Sequence, residues 1–97
     1  MSNKLIVTNH GLVRACERLF CIKLEGKGDN GKVMGNLALA GRADEFLKNA
    51  VILSSTTLIK GTVYRAIIEG FDNYRAVIAV DEKDITKHKL LTIKEVK

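Results

Sequence analysis

The sequence predicts an all-β domain, a closed five-stranded barrel with one short helix between strands 3 and 4. Three observations predict it. β-Branched and apolar runs recur along the chain, separated by glycine, asparagine and aspartate. One segment alone, Gly41–Ala50, reads clearly as helix. The tripeptide Tyr-Arg-Ala occurs twice, at 64–66 and 74–76, on both sides of Gly70-Phe71-Asp72-Asn73, which is the pattern of an antiparallel hairpin.

The elements follow in order. Lys4–Thr8 is β-branched and apolar, and Asn9-His10-Gly11 bounds it as a first strand. Leu12-Val13-Arg14 continues past a bend at Gly11, and Leu19–Leu24 follows with Phe20, Ile22 and Leu24 alternating onto one face. Leu12, Val13, Cys16, Leu19 and Phe20 also recur at helical spacing, so Leu12–Phe20 has a helical alternative. Strands are preferred because the resulting layout accommodates the rest of the chain. Gly26–Lys32, with three glycines, Asp29 and Asn30, is a loop. It is no phosphate loop, since no Gly-Lys-Ser/Thr follows it. Val33–Ala40 reads as a third strand whose small residues allow a tight bend.

Gly41–Ala50 is the helix. Asp44 and Glu45 lie early and Lys48 late, as the helix dipole favours, and Ala43, Phe46, Leu47 and Ala50 form its apolar stripe. Val51–Leu53 leads into a long β-rich run, Thr56–Ile68, broken only by Gly61 as in a strand that curls around a barrel. Tyr74–Val80 answers it. Leu90–Ile93 adds a terminal strand or packs as a tail, and Lys94–Lys97 is expected to fray. Three strands, a helix and two strands make the order of the OB barrel.

Composition bounds the function. Ninety-seven residues form a single domain, 1–97. No apolar run approaches the length of a membrane span, and Met1–Asn9 lacks the long apolar segment of a signal peptide, so a cytoplasmic protein without a membrane partner is expected. The net charge of +5, from 16 cations against 11 anions, is a mild excess that suits a polyanionic partner without requiring one. Cys16 and Cys21 have no zinc spacing and His10 and His88 have no matching pair, so neither a metal nor another cofactor is expected. No arrangement of His with Ser or Cys suggests a nucleophile, and Asp81, Glu82 and Asp84 read as a solvated turn. An enzyme is not expected.

From Leu37 onward the layout resembles the bacterial single-stranded DNA-binding proteins (SSB) and their primosomal relative PriB. Leu39-Ala40-Gly41-Arg42-Ala43-Asp44-Glu45 is similar to the family's strand end and helix start, and Leu58–Arg65 to its glycine-broken strand. Tyr74–Asp81 is similar to its closing strand and Met1–Val7 to its opening one. Against the family pattern, the chain has no tryptophan and ends in Lys94-Glu95-Val96-Lys97 without an acidic-aromatic tip. It therefore resembles a compact version, of the PriB type or from a phage or mobile element. The resemblance implies an OB fold that binds single-stranded nucleic acid.

On that layout the hairpin between strands 4 and 5 grips the ligand. Phe71 stands at its predicted tip, where an exposed ring can stack on a base or, equally, fold back on the barrel or meet a second subunit. A five-residue loop would place Tyr64 and Tyr74 on one face with Arg65 and Arg75 on the other, whereas a four-residue loop would part them. The sequence leaves this register open. Arg14, Lys23, Lys32, Lys60, Arg65 and Arg75, with Lys27 and Arg42, are the candidate phosphate contacts. The expected function is binding of single-stranded nucleic acid, DNA favoured over RNA, in replication, recombination or repair, by a homodimer or homotetramer. The alternative is a protein-interaction module docking on replication proteins in a phage or plasmid regulatory complex.

Overall fold

The computed structural model describes residues 4–24, 26–28, 31, 37–84 and 86–96. Two layers are seen among the described residues: a five-stranded mixed sheet and, on one of its faces, the two helices α1 (Asn9–Arg18) and α2 (Leu37–Ala50). β1 (Lys4–Val7) runs into α1, and α2 runs into β2 (Val51–Lys60). β3 (Val63–Ile68), β4 (Tyr74–Val80) and β5 (Lys87–Glu95) complete an antiparallel meander. The spatial order is β1-β5-β4-β3-β2, with β1 parallel to β5.

Local chemistry explains each join. Thr8 caps α1: its hydroxyl accepts from the Gly11 N–H at 3.1 Å and donates to the Leu90 carbonyl at 2.5 Å. One side chain thus ends β1, starts α1 and ties both to β5. Leu12, Ala15, Cys16 and Leu19 form the buried stripe of α1. The chain leaves that helix through Cys21, held at φ +53°, while the Ile22 N–H reaches back to the Cys16 carbonyl at 3.0 Å. In α2 the buried positions are Ala43, Leu47 and Ala50, and Lys48 pairs with Asp44 at 3.0 Å on the outer side. The two stripes close on Ala66, Ile68, Ala76, Ile78, Leu90 and Ile93 of the sheet. Burying side chains of this size is worth about 1.5–3 kcal/mol each for the larger aliphatics.

The barrel with its single helix between strands 3 and 4 is therefore overturned: the sheet is open, and the helices precede β2. Leu12–Phe20 belongs to the helical alternative, because a stripe at 12, 16 and 19 finds a matching apolar surface on β5. Leu19–Leu24 is the end of that helix and the coil after it, not a strand. Of the predicted strand Val33–Ala40, residues 33–36 lie outside the described residues, and Leu37–Ala40 is the first turn of α2. Leu39–Glu45, which supported the family resemblance, lies wholly inside this helix. Gly61, at φ +59°, makes a tight turn between two antiparallel strands instead of bending one. Of the closing residues expected to fray, Lys97 lies outside the described residues and the other three are held. Lys94 and Glu95 belong to β5, and the Val96 N–H donates to the Asn73 carbonyl at 2.7 Å. No helix among the described residues is long and apolar enough to cross a membrane.

Candidate nucleic-acid interface

Register decides which side chains share the face that the helices leave uncovered. Ile67 pairs with Arg75 and Arg65 with Val77, so the β3–β4 loop has five residues, Glu69–Asn73. Gly70 at φ +86° and the Phe71 N–H to Ile68 carbonyl bond at 3.0 Å hold that loop closed. Tyr64 and Tyr74 consequently lie with Ala66, Ala76 and Ile78 on the helix side, and Arg65 and Arg75 lie on the open side.

Three rows of partners cross the open side. The first is Ile52, Ile67, Arg75 and Lys94; the second is Thr57, Arg65, Val77 and Thr92; the third is Lys60, Val63, Ala79, Lys89 and Ile6. Lys87 follows on β5 at the next open position. The five strands contain seven of the chain's 16 Lys and Arg residues and one of its 11 acids, Glu95. Elsewhere nine cations meet ten acids. The sheet thus accounts for the whole positive excess. Turns at the two ends of the strands are acidic, with Glu69 and Asp72 at one end and Asp81, Glu82 and Asp84 at the other. The rows between these acidic ends run across the strands over about 20 Å of sheet.

Among the described residues neither open-side arginine is in an ion pair. Arg65 is exposed. Arg75 is half-buried, and its Nη1 donates to the carbonyls of Asp72, at 2.7 Å, and Tyr74, at 2.8 Å. Beside them a depression is lined by Ser55, Thr57, Arg65, Ile67, Arg75 and Val96. Its wall comes from an irregularity in β2, where the pairing jumps between Ile52 and Thr57. The Ser55 hydroxyl stands in for the interrupted pairing, accepting from the Ile67 N–H at 2.9 Å and donating to the Ile52 carbonyl at 2.6 Å.

Other expected contacts lie elsewhere. Arg14 is on α1, near Glu17 at 3.6 Å, and exposed Lys23 is in the coil after it, both in the helix layer. Lys32 lies outside the described residues. Lys60 does join the open side. Phe71 is no exposed tip: its ring meets those of Phe20 and Phe46, with centroids 6.2 and 5.9 Å away, and Phe20 and Phe46 are 5.2 Å apart. Tyr74 likewise packs against the core. Sequence reading missed Lys89 and Lys94, whose signal is the alternation of Lys87, Lys89 and Lys94 with buried His88, Leu90 and Ile93.

The remaining polar groups have local duties. Asp81 accepts from the Lys83 N–H at 2.9 Å, and Asp84 accepts from the Thr86 N–H at 3.1 Å. The Thr86 bonds, helped by nearby Lys87, hold the Asp84 carboxyl below the usual range. Buried His88 sits 3.3 Å from the Thr86 carbonyl through Nδ1, in the row of Leu5 and Val80. Cys16 is buried and Cys21 exposed, both as free thiols; burial, and then the charge of Glu17, push the Cys16 thiol up. Compared with protein-family models, curated proteins and solved structures, the chain matches none.

Proposed function

We propose that this protein binds single-stranded nucleic acid on the open face of its sheet. The observation behind the reading is the segregation of charge: the strands hold the entire positive excess, and their open positions interleave Lys60, Arg65, Arg75, Lys89 and Lys94 with aliphatic side chains. The cations take phosphates, a contact that adds affinity and salt dependence without sequence preference. Ile6, Ile52 and Ile67, 42%, 37% and 39% exposed, offer apolar surface to unstacked bases. A duplex hides its base faces and leaves those isoleucines in water. Among the described residues no aromatic ring lies on this face, so affinity rests on phosphate contacts, on aliphatic cover and on stacking by arginine. The cellular setting proposed is cytoplasmic DNA replication, recombination or repair, by binding instead of catalysis.

The test is fluorescence anisotropy with labelled oligo-dT, oligo-U and a duplex at about 50 and 200 mM salt. Five to six phosphate contacts on a single strand give a slope of log affinity against log salt of about −4. Single strands should bind more tightly than duplex. Absence of oligonucleotide binding at micromolar protein and low salt removes the reading.

A second reading has its own observation. β2 is an edge strand, and Leu58 and Ile59 on it are 54% and 45% exposed. An unpaired apolar edge suits strand addition, either by a second copy in a homodimer or homotetramer or by a replication protein. Recognition of that kind is insensitive to salt, which separates it from the first reading.

A further inference from the structure

We infer that the depression between the two arginines is the anchor subsite of this face, seating one nucleotide by its phosphate. The inference rests on the single-strand reading and gives it a fixed point. The depression measures about 330 Å³, inside the usual range of roughly 300–1,000 Å³ for small-molecule sites.

Its chemistry is that of a phosphate seat with an apolar flank. Arg65 pairs with Val77 and Arg75 with Ile67, so the two guanidinium-bearing positions are diagonal neighbours on adjacent strands. Two like charges so placed, without an acid in ion-pair contact among the described residues, repel each other until an anion comes between them. Arg75 is already oriented. Both N–H groups of its Nη1 are engaged by the Asp72 and Tyr74 carbonyls, which leaves the Nε–Nη2 edge of the fork for a phosphate. Ordering this side chain in advance lowers the entropy lost on binding. The Arg65 guanidinium, exposed and without a hydrogen bond to any described residue, closes from the opposite side. Thr57, its register partner on β2, brings an exposed hydroxyl to the same rim. Ile67 and Val96 line the remainder and take the sugar and base.

Ser55 is a positioning residue. Its hydroxyl donates to Ile52 and accepts from Ile67, so it has no proton left for the ligand and acts by holding the β2 wall.

The experiment titrates the full chain and the variants Arg65→Ala, Arg75→Ala, Arg75→Lys and Lys89→Ala with labelled oligo-dT, and titrates thymidine monophosphate, thymidine and inorganic phosphate by amide NMR. Thermal melts confirm that these surface variants fold. Each arginine-to-alanine change should weaken oligo-dT binding about tenfold or more, as loss of a charge-assisted hydrogen bond does. Arg75→Lys should recover less than half of that loss, because lysine lacks the planar fork. Lys89→Ala should weaken binding two- to threefold, roughly as one exposed phosphate contact. Thymidine monophosphate, more than phosphate and unlike thymidine, should shift the amides of Arg65, Ile67, Arg75 and Val96. If oligo-dT binds the parent chain but the arginine variants lose no more than Lys89→Ala, the anchor is wrong and the single-strand reading stands. If the monophosphate shifts those amides while no oligonucleotide binds, the subsite holds and its ligand is a free nucleotide. If neither binds, both are wrong.

Discussion

Gly11 of α1 lies so close to Leu90 of β5 that a Cβ added to Gly11 would stand 2.6 Å from the Leu90 carbonyl oxygen. That oxygen also receives the Thr8 hydroxyl, so the helix start is pressed onto the strand at a point where backbone meets backbone.

The same substitution should therefore act in opposite directions on the two helices. Gly11→Ala forces α1 off β5 and should destabilise the fold by about 1–3 kcal/mol. Gly41→Ala on α2 meets nothing within 4 Å and should stabilise it by about 0.5–1 kcal/mol, through helix propensity alone. Urea denaturation of both variants checks this. An unchanged midpoint for Gly11→Ala would contradict the close approach.

Phe71→Ala should lower stability by about 1–3 kcal/mol and leave oligonucleotide affinity within twofold of the parent. The ring closes a trio with Phe20 of the α1 exit and Phe46 of α2, and removing it opens a cavity on the helix side, away from the open face. Melting temperature and anisotropy measured on one preparation decide the matter. A variant of unchanged stability that binds poorly returns Phe71 to the binding site.

Lys89→Ala and Lys94→Ala should each flatten the salt slope for a single strand by about 0.7 and weaken binding evenly across sequences. Arg14→Ala, in the helix layer, should leave the slope as it is. Equal effects of all three would mean that charge is felt globally and that the open face has no special part.

Cys21 should be alkylated quickly in the native protein, and Cys16 only as fast as the protein unfolds. Cys16 is 1% exposed and its thiol is pushed up by burial, so almost none of it is thiolate at neutral pH. Timed iodoacetamide labelling with peptide mass spectrometry reads both sites, and equal native rates would contradict the buried position.

Some of this was legible in the sequence. β1 and β4 were bounded nearly to the residue, because β-branched runs between turn residues admit few alternatives. The later part of α2 was found from its apolar stripe, but its first turn, Leu37–Ala40, alternates large and small residues and reads equally as strand. Leu12–Phe20 satisfied both periods, and a layout chosen for other reasons tipped it to the wrong one. Gly61 showed where the chain breaks direction without showing by how much. The parallel pairing of β1 with β5 has no local signature at all. The candidate site depended on a single register. Once the loop is fixed at five residues, Arg65 and Arg75 face open solvent together and Tyr64 and Tyr74 are withdrawn to the other side. The sequence leaves Phe71 open between an exposed tip and a ring folded back on the domain, because its partners, Phe20 and Phe46, come from distant segments that only the folded chain brings to it.

The pairing of β1 with β5 also sets a timetable for biogenesis. Thr8 and its acceptor Leu90 are 82 positions apart, and synthesis at about 5–20 residues per second separates their emergence from the ribosome by roughly 4–16 s. Throughout that interval the stripe of α1 lacks the strand it buries against. A nascent chain of this design finishes its sheet only after residues 87–95 are released, and until then it exposes apolar surface that general chaperones recognise.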